Sequence, residues 1–319
     1  MRKESLTYER PEIERIESYH GGSFEQLTLY NSDRKVALNP DYTVSANNTA
    51  STLKIMKVGT HGNAFGLELE TVGNELARAG SLTLYTNLVK LIFDKAGFDG
   101  DFFKYETDST VHVECITQTF TKAWLRNNYK SFKAMYELFD TFGITTNDER
   151  CGMHVNIDLA NFGSTYEAQI ENIRKLGYII NKHYSLFKVA FNRTGSTRWC
   201  PQMNTNKEYW KTNPVDYFPT SHSSCCINLG HVRQSRIEIR LVGGQKNFPC
   251  FRNTMETVFH LINAVKKLSW NDCDDLTKIF SGCNNYVFDR LSTNCYQSGT
   301  ISNADLEKIR PTVEQVRYI

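Results

Sequence analysis

The sequence lacks an excess of charge of either sign: 37 Lys and Arg stand against 35 Asp and Glu, which gives a net charge of +2. This balance offers no electrostatic basis for binding nucleic acid or an acidic membrane surface. No run of the chain approaches the ~20 consecutive apolar residues that a membrane helix needs. The start of the chain is charged and has no apolar stretch, so we expect no secretory signal.

Regular cysteine spacing is also missing. The nine cysteines are an odd number, no Cys-x-x-Cys occurs, and the only adjacent pair is Cys225 and Cys226. This pattern argues against a zinc ribbon and against a secreted disulfide framework. We therefore expect a cytoplasmic protein with reduced thiols.

Three common catalytic motifs do not occur. The chain contains neither G-x-x-x-x-G-K-[ST] nor G-x-G-x-x-G, so P-loop and Rossmann nucleotide binding are unsupported. The absence of G-x-S-x-G weakens the case for a serine hydrolase.

The composition is that of a folded protein, with 40% hydrophobic and 12% aromatic residues. The length suits one large domain or two small ones. We predict an N-terminal extension or hairpin over residues 1–59, with a β-like run at residues 26–30. A catalytic domain is predicted over 60–269, and a C-terminal helical extension packed on the same domain over 270–319.

Strands and helices alternate irregularly in the predicted catalytic domain, without a βαβ cadence. This order favours an α+β fold with a largely antiparallel sheet. Apolar periodicity predicts strands at residues 65–71, 111–117, 152–159 and 235–242, and helices at 81–95, 132–143, 170–188, 255–265 and 304–309.

Each of the four predicted strands has an apolar face and a face of acidic, histidine or arginine side chains. This follows because side chains two residues apart on a strand share a face. The polar sets, in strand order, are Glu68 and Glu70; His112 and Glu114; His154, Asn156 and Asp158; and Arg236, Glu238 and Arg240.

Two interpretations of these polar faces are open. The ordinary one is a sheet with one buried face and one solvated face. A solvated face, however, usually mixes Lys, Thr, Ser and Gln, and two glutamates at i and i+2 repel unless a cation lies between them. Carboxylates with one imidazole suit Mg²⁺ or Mn²⁺, and nearby arginines suit a triphosphate.

Four segments in order resemble the amidoligase family, which belongs to the glutamine synthetase and glutamate–cysteine ligase superfamily. They are FGLELET at 65–71, VECIT at 113–117, CGMHVNI at 151–157 and RIEIRL at 236–241. The resemblance covers residues 62–268. It implies a curved, largely antiparallel sheet with helices on its convex face and with ATP and divalent metals on its concave face. The implied activity is ATP-dependent joining of a carboxylate to an amine through an acyl phosphate.

The resemblance also implies a division of the metal ligands. Glu68, His154 and Glu238 correspond to ligands of the metal that bridges the β- and γ-phosphates. Glu70 and Glu114 correspond to ligands of the metal nearer the acceptor carboxylate.

Basic and amide residues receive implied roles in the same way. Arg240 corresponds to the residue that stabilises the transferring phosphoryl group, and Arg193 and Arg198 resemble the basic loop of the family. Nucleotide contacts are expected from Arg236, Asn156 and Asn228.

This sequence departs from the family at two positions. Asn156 stands where the family often has histidine, so its role reduces to hydrogen bonding. Asp108 resembles an acidic metal-binding element, but it directly precedes Ser109, whereas the family has a gap between the two residues.

Several alternatives remain. The same acidic cluster also suits a metal-dependent hydrolase or phosphotransferase, and a non-catalytic binding protein could keep the fold alone. The carboxylate and amine substrates are unspecified, and an oligomer is possible. Gly243 and Gly244 follow a predicted strand and could form a phosphate-contacting turn, but a plain turn is the favoured interpretation. Surface or packing positions are expected for His20, His61, His183, His222, His231 and His260.

Overall fold

The computed structural model describes residues 63–73, 82–98, 102–106, 111–193, 197–214, 225–232 and 235–311, together with three strands nearer the N-terminus. These three strands, β1 (Glu12–Glu17), β2 (Ser23–Asn31) and β3 (Arg34–Ala37), form an antiparallel sheet in chain order. The β-like run predicted at residues 26–30 lies within β2, which confirms that prediction.

A seven-stranded sheet forms the centre of the described structure. Its order is β5–β6–β4–β8–β10–β9, with β7 also paired to β4, and every pairing is antiparallel. The predicted α+β class with an antiparallel sheet is therefore confirmed. The strands are β4 (Ala64–Thr71), β5 (Phe103–Glu106), β6 (Val113–Thr117), β7 (Phe120–Thr121), β8 (Met153–Asp158), β9 (Ile227–Asn228) and β10 (Arg236–Ile239).

Strand β10 is shorter than predicted, because regular pairing ends at Ile239. The backbone N–H groups of Arg240 and Leu241 both donate to the carbonyl of Cys226, at 3.0 Å each. Two residues thus face one, as in a β-bulge, and such an irregularity bends the strand and ends its pairing.

Ten α-helices accompany the sheet in the described part of the chain. No helix there is both long enough and apolar enough to cross a membrane. The helices are α1 (Leu82–Lys95), α2 (Lys122–Asn127), α3 (Tyr129–Thr141), α4 (Tyr166–Lys182), α5 (Tyr184–Ala190), α6 (Lys207–Thr212), α7 (Phe248–Val265), α8 (Leu276–Ile279), α9 (Asn285–Arg290) and α10 (Asn303–Ile309).

Local sequence explains most helix ends. Thr165 caps α4 by accepting a hydrogen bond from the backbone N–H of Ala168, and Asn247 caps α7 in the same way. Gly97 and Gly143 follow α1 and α3 with φ of +86° and +65°, a conformation that glycine adopts without strain.

The prediction of one continuous helix that reaches about residue 188 is wrong. It divides at His183 into α4 and α5. His183 leaves helical geometry, and its ring Nε2 lies 3.3 Å from the carbonyl of Cys273, a contact that continuous helix periodicity does not anticipate.

The apolar face of the sheet and the helices form one core. The inward residues of the central strands are fully buried, and the buried stripes of α3, α4 and α7 belong to the same cluster. Side chains from α8 to α10 also enter this cluster. The strand residues are Leu67, Leu69, Val155, Ile157, Ile237 and Ile239, and the C-terminal ones include Ile279, Val287 and Ile309.

Candidate metal centre

The opposite face of the sheet gathers the charged side chains of four neighbouring strands. The register places Glu70 of β4 directly opposite Glu114 of β6, and Glu68 of β4 opposite His154 of β8. Glu238 of β10 is two places along from the position opposite His154, on the same face. The apolar core fixes which face each strand turns inward, so these polar groups meet on the other face.

Glu68, His154 and Glu238 form the first triad. The Nδ1 atom of His154 lies 3.0 Å from Oε2 of Glu68 and 3.3 Å from Oε1 of Glu238. One potential ligand atom from each of the three residues lies within 4.8 Å of the others. His154 and Glu238 are buried, and Glu68 is half-buried.

Glu70, Glu114 and His154 form the second triad, also with ligand atoms within 4.8 Å of one another. The Nε2 atom of His154 lies 3.7 Å from Oε1 of Glu70. The backbone N–H of Gly152 donates a hydrogen bond to Oε2 of Glu70 and so holds that carboxylate in place. Nδ1 of His154 therefore faces the carboxylates of Glu68 and Glu238, whereas Nε2 faces that of Glu70.

Two members of the triads, Glu68 and His154, have shifted pKa values. Burial alone would raise the pKa of Glu68, but the hydrogen bond and charge of His154, the charge of Arg236 and the amide of Asn156 outweigh it and lower the pKa to about 2. Burial and the charge of Arg240 act to lower the pKa of His154, yet the surrounding glutamates outweigh them and raise it. The glutamates around His154 thus favour its protonated form.

Glu238 is held at both oxygens. Its Oε1 accepts from Nη1 of Arg240 at 2.7 Å. Its Oε2 accepts from Nδ2 of Asn228 at 3.0 Å and lies 3.8 Å from Nε2 of His231. Asn228, predicted to contact a nucleotide, therefore contacts a proposed metal ligand.

Asn156 and Arg236 also lie within the centre. Asn156 donates to Oε1 of Glu68 at 2.9 Å, and Arg236 donates to the amide oxygen of Asn156. The expectation that Asn156 acts only through hydrogen bonds agrees with this position.

Two buried arginines of the centre form no direct ion pair with a described carboxylate. Arg193 is 6% exposed and Arg236 is 5% exposed, and neither has a carboxylate oxygen within 4.0 Å among the described residues. In that same part of the chain, the Nε atoms of Arg193, Arg236 and Arg240 have no hydrogen-bond partner. An unpaired buried donor is costly, so these groups favour an anionic ligand.

Two predicted site residues, Arg198 and Asp108, are not placed in the centre by the structure. Arg198 is exposed, and its guanidinium lies 5.0 Å from the ring centre of Trp199, unlike the buried Arg193. Asp108 lies outside the described residues. His112 shares the sheet face with Glu114 as predicted, but its Nδ1 accepts a hydrogen bond from the backbone N–H of Gly73 at 2.9 Å.

Sequence reasoning missed two contributors, His231 and Gly152. His231 was expected at a surface or packing position but contacts Glu238. The spacing of His231 before Glu238 matches no strand alternation, so the sequence carried no signal for it. Gly152 precedes His154 by two residues, so its place on the polar strand face was predictable, but its bond to Glu70 was not.

The donor set suits a hard divalent cation. Carboxylate oxygens with a single imidazole match the preferences of Mg²⁺ and Mn²⁺, whereas no cysteine sulfur takes part in either triad. No protein-family model matches the sequence, and a search of curated proteins finds no match either.

Proposed function

We propose that this protein is an ATP- and Mg²⁺-dependent carboxylate–amine ligase of the amidoligase type, with the curved glutamine synthetase-like fold that this family implies. The observation that carries the proposal is the pair of carboxylate triads that share His154. The buried arginines beside them, on the same face of the antiparallel sheet, support it.

The proposed metal ligands are Glu68, His154 and Glu238 for one ion, and Glu70 and Glu114, with His154 nearby, for the other. Mn²⁺ is an alternative to Mg²⁺ because both accept oxygen ligands and an imidazole. When bound, the two ions offset the charge of the phosphate oxygens and polarise the carboxylate that is to react.

Charge balance favours a polyanionic ligand. The four carboxylates of the triads are matched in number by the guanidinium groups of Arg193, Arg236 and Arg240 and by the imidazole of His154. Two divalent ions would leave a positive excess, even after His154 loses a proton. A triphosphate supplies the negative charge that compensates for this excess.

The arginines divide between the two ends of the centre. Arg236 and Arg240 lie beside the Glu68 and Glu238 end, where we place the phosphates. Arg193 lies beside Glu70, where we place the acid substrate. Acyl phosphate formation needs positioning and charge neutralisation, and it needs no protein nucleophile.

An ADP-release assay tests the proposal. Pools of carboxylates and amines are screened with Mg²⁺ and ATP, and products are identified by mass spectrometry. We expect ADP release that depends on both a carboxylate and an amine, with a product lighter by one water than the two substrates together. Release of ADP or phosphate without an amine would instead identify a hydrolase or a phosphotransferase.

Calorimetry adds a test that needs no substrate pair. ATP should bind in the presence of Mg²⁺ or Mn²⁺, and binding should fall sharply in excess EDTA, because the carboxylates repel the phosphates when no metal lies between them. Equal ATP affinity with and without EDTA would rule out the two-metal arrangement.

A further inference from the structure

Two glycines that face each other beside the metal centre form an isolated antiparallel bridge, Gly152 with Gly243. The bridge is held by flanking backbone hydrogen bonds, from Met153 to Val242 at 3.1 Å and from Gly244 to Cys151 at 3.2 Å. Side chains at directly opposed positions of an antiparallel pair point to the same face. This bridge therefore leaves one patch of that face without any side chain.

Arg193 covers that patch, with its main chain over Gly243 and its guanidinium over Gly152. A Cβ atom placed on Gly243 would lie 2.8 Å from Cα of Arg193 and 2.3 Å from the carbonyl oxygen of Asn192. A Cβ atom placed on Gly152 would lie 3.2 Å from Nη1 of Arg193. The main chain of Arg193 thus rests on Gly243 and its guanidinium rests on Gly152.

The loop that carries Arg193 is fixed against the glycines. Asn192 has φ of +57°, which is uncommon for a residue with a side chain. Its Nδ2 donates to the carbonyl of Gly244 at 2.6 Å, and the backbone N–H of Gly243 donates to Phe191 at 2.9 Å. These bonds fix the backbone conformation of the loop at Asn192.

The guanidinium reaches the second triad. The Cβ position on Gly152 that lies 3.2 Å from Nη1 of Arg193 also lies 3.2 Å from Oε2 of Glu70 and 3.3 Å from Nε2 of His154. Nη1 donates to the carbonyl of Cys151 at 3.1 Å, and Nε has no partner among the described residues. A buried donor without a partner favours an anionic ligand.

We propose that the bridged pair Gly152 and Gly243 is a slot that sets Arg193 beside Glu70 to bind an oxyanion. Arg193 is the binding residue, and the two glycines are positioning residues that act through it. The inference rests on the proposed function for the identity of the oxyanion, which is the carboxylate of the acid substrate or the transferred phosphoryl group.

Anion binding to the full-length protein tests the slot without any ligase assay. Acetate and inorganic phosphate are titrated by calorimetry in the presence of Mn²⁺. Replacing Arg193→Met should weaken binding of the recognised anion by about tenfold or more, because a charge-assisted hydrogen bond is lost. Gly243→Ala should produce a similar loss by displacing the Arg193 loop.

Gly152→Ala is the milder variant. Its added methyl group needs shifts of only a few tenths of an ångström, so the protein should fold and lose a smaller part of the affinity. Gly163→Ala is the matched control, because its Cβ would lie 2.9 Å from Cβ of Ala168 and neither residue belongs to a triad. This control should lower the melting temperature and leave anion affinity unchanged.

A double variant separates positioning from general destabilisation. If Gly243 acts through Arg193, Gly243→Ala should add no further loss of anion affinity in an Arg193→Met background. Additive losses would overturn the proposal, as would an anion affinity in Arg193→Met equal to that of the wild type. Acetate binding that depends on Arg193 assigns the slot to the acid substrate, and phosphate binding alone assigns it to the phosphoryl group. Either result stands even if no ligase activity is found.

Discussion

The side-chain amide of Asn156 donates from Nδ2 to Oε1 of Glu68 at 2.9 Å, between neighbouring strands β8 and β4. Its oxygen accepts from Nη1 of Arg236. An amide can donate and accept at once, so Asn156 joins a carboxylate to a guanidinium without contributing charge. The other oxygen of Glu68 is thereby left to face His154.

Asn156→Leu tests this arrangement. The change removes the donor to Glu68 and the acceptor for Arg236 while nearly conserving volume. Because residues that orient metal ligands typically affect metal affinity by about 10- to 100-fold, we expect a loss of that size at the Glu68 triad. Electron paramagnetic resonance of bound Mn²⁺ measures it. Glu137→Gln is the control, since Glu137 is exposed on α3 and belongs to neither triad.

The two triads predict two separable metal sites. Glu68→Gln should weaken one Mn²⁺ site and Glu70→Gln the other, whereas His154→Asn should weaken both because its imidazole faces both groups. Equilibrium dialysis gives the stoichiometry for each variant. If Glu68→Gln and Glu70→Gln each abolished all binding, the centre would hold a single ion.

Arg240→Lys separates a phosphate-binding role from an ion-pair role. Arginine offers a rigid fork of donors, and lysine is a point charge. Arg240 already uses Nη1 for Glu238, and its Nε has no partner among the residues that the structure describes. We expect kcat to fall by about 100-fold with a smaller change in KM for ATP, as for other groups that stabilise developing charge.

The kinetics of Arg240→Lys require the substrate pair found by the ADP-release screen. A near-normal kcat in this variant would show that Arg240 only balances the charge of Glu238. The melting temperature of the variant provides the control for folding.

The buried carboxylate of Glu256, which belongs to neither triad, should make the stability of the protein depend on pH. It is 2% exposed, and its oxygens accept from Nε of Arg126 at 2.8 Å, from Tyr129 at 2.9 Å and from Asn284 at 2.9 Å. Burial alone would raise the pKa of Glu256, but the hydrogen bond and charge of Arg126 outweigh it and lower the pKa. A lowered folded-state pKa gives stability that is complete above the unfolded-state pKa and is lost as the pH falls through the folded-state pKa.

Urea unfolding of the wild type and of Glu256→Gln, from neutral pH to below the folded-state pKa of Glu256, measures this contribution to stability. At neutral pH the variant should lose roughly 1.5–3 kcal/mol, the usual contribution of hydrogen bonds to a charged group. The difference should shrink as the pH falls below the unfolded-state pKa of glutamate. Glu137→Gln is the control, because Glu137 is an exposed partner of Lys133 on α3 and should change stability by less than about 0.5 kcal/mol. A difference that stayed constant with pH would contradict the assignment.

The sequence predicted the features that depend on alternation. Apolar and polar residues alternate from Phe65 to Thr71 and from Arg236 to Leu241, and both segments place their charged residues on one face as expected. The helix over α1 and the aromatic stripe of α3 follow from periodicity and from the glycines after them. Such patterns are predictable because each strand or helix buries one face, and this burial fixes the spacing of its apolar residues.

Features that depend on contacts between distant segments were not predictable. The end of β10 depends on the carbonyl of Cys226, and the division of α4 from α5 occurs where His183 approaches the carbonyl of Cys273. His231 reaches Glu238 from a segment without strand alternation. The turn of Gly243 and Gly244 was expected to be plain, yet it carries the packing of Arg193. None of these partners is a neighbour in sequence.

The order of strands in the large sheet has a consequence for how the protein folds. Strand β4 is central, and its partners β6 and β8 come later in the chain, so His154 must find Glu68 across 86 residues. Contacts of such long sequence separation slow folding, because loop closure must occur before the contacts can stabilise the chain. The carboxylates also repel one another as they converge, so a divalent ion that screens them should accelerate the late steps of refolding. An unfolded chain, in contrast, offers no assembled ligand set, and metal affinity should appear only as the sheet closes.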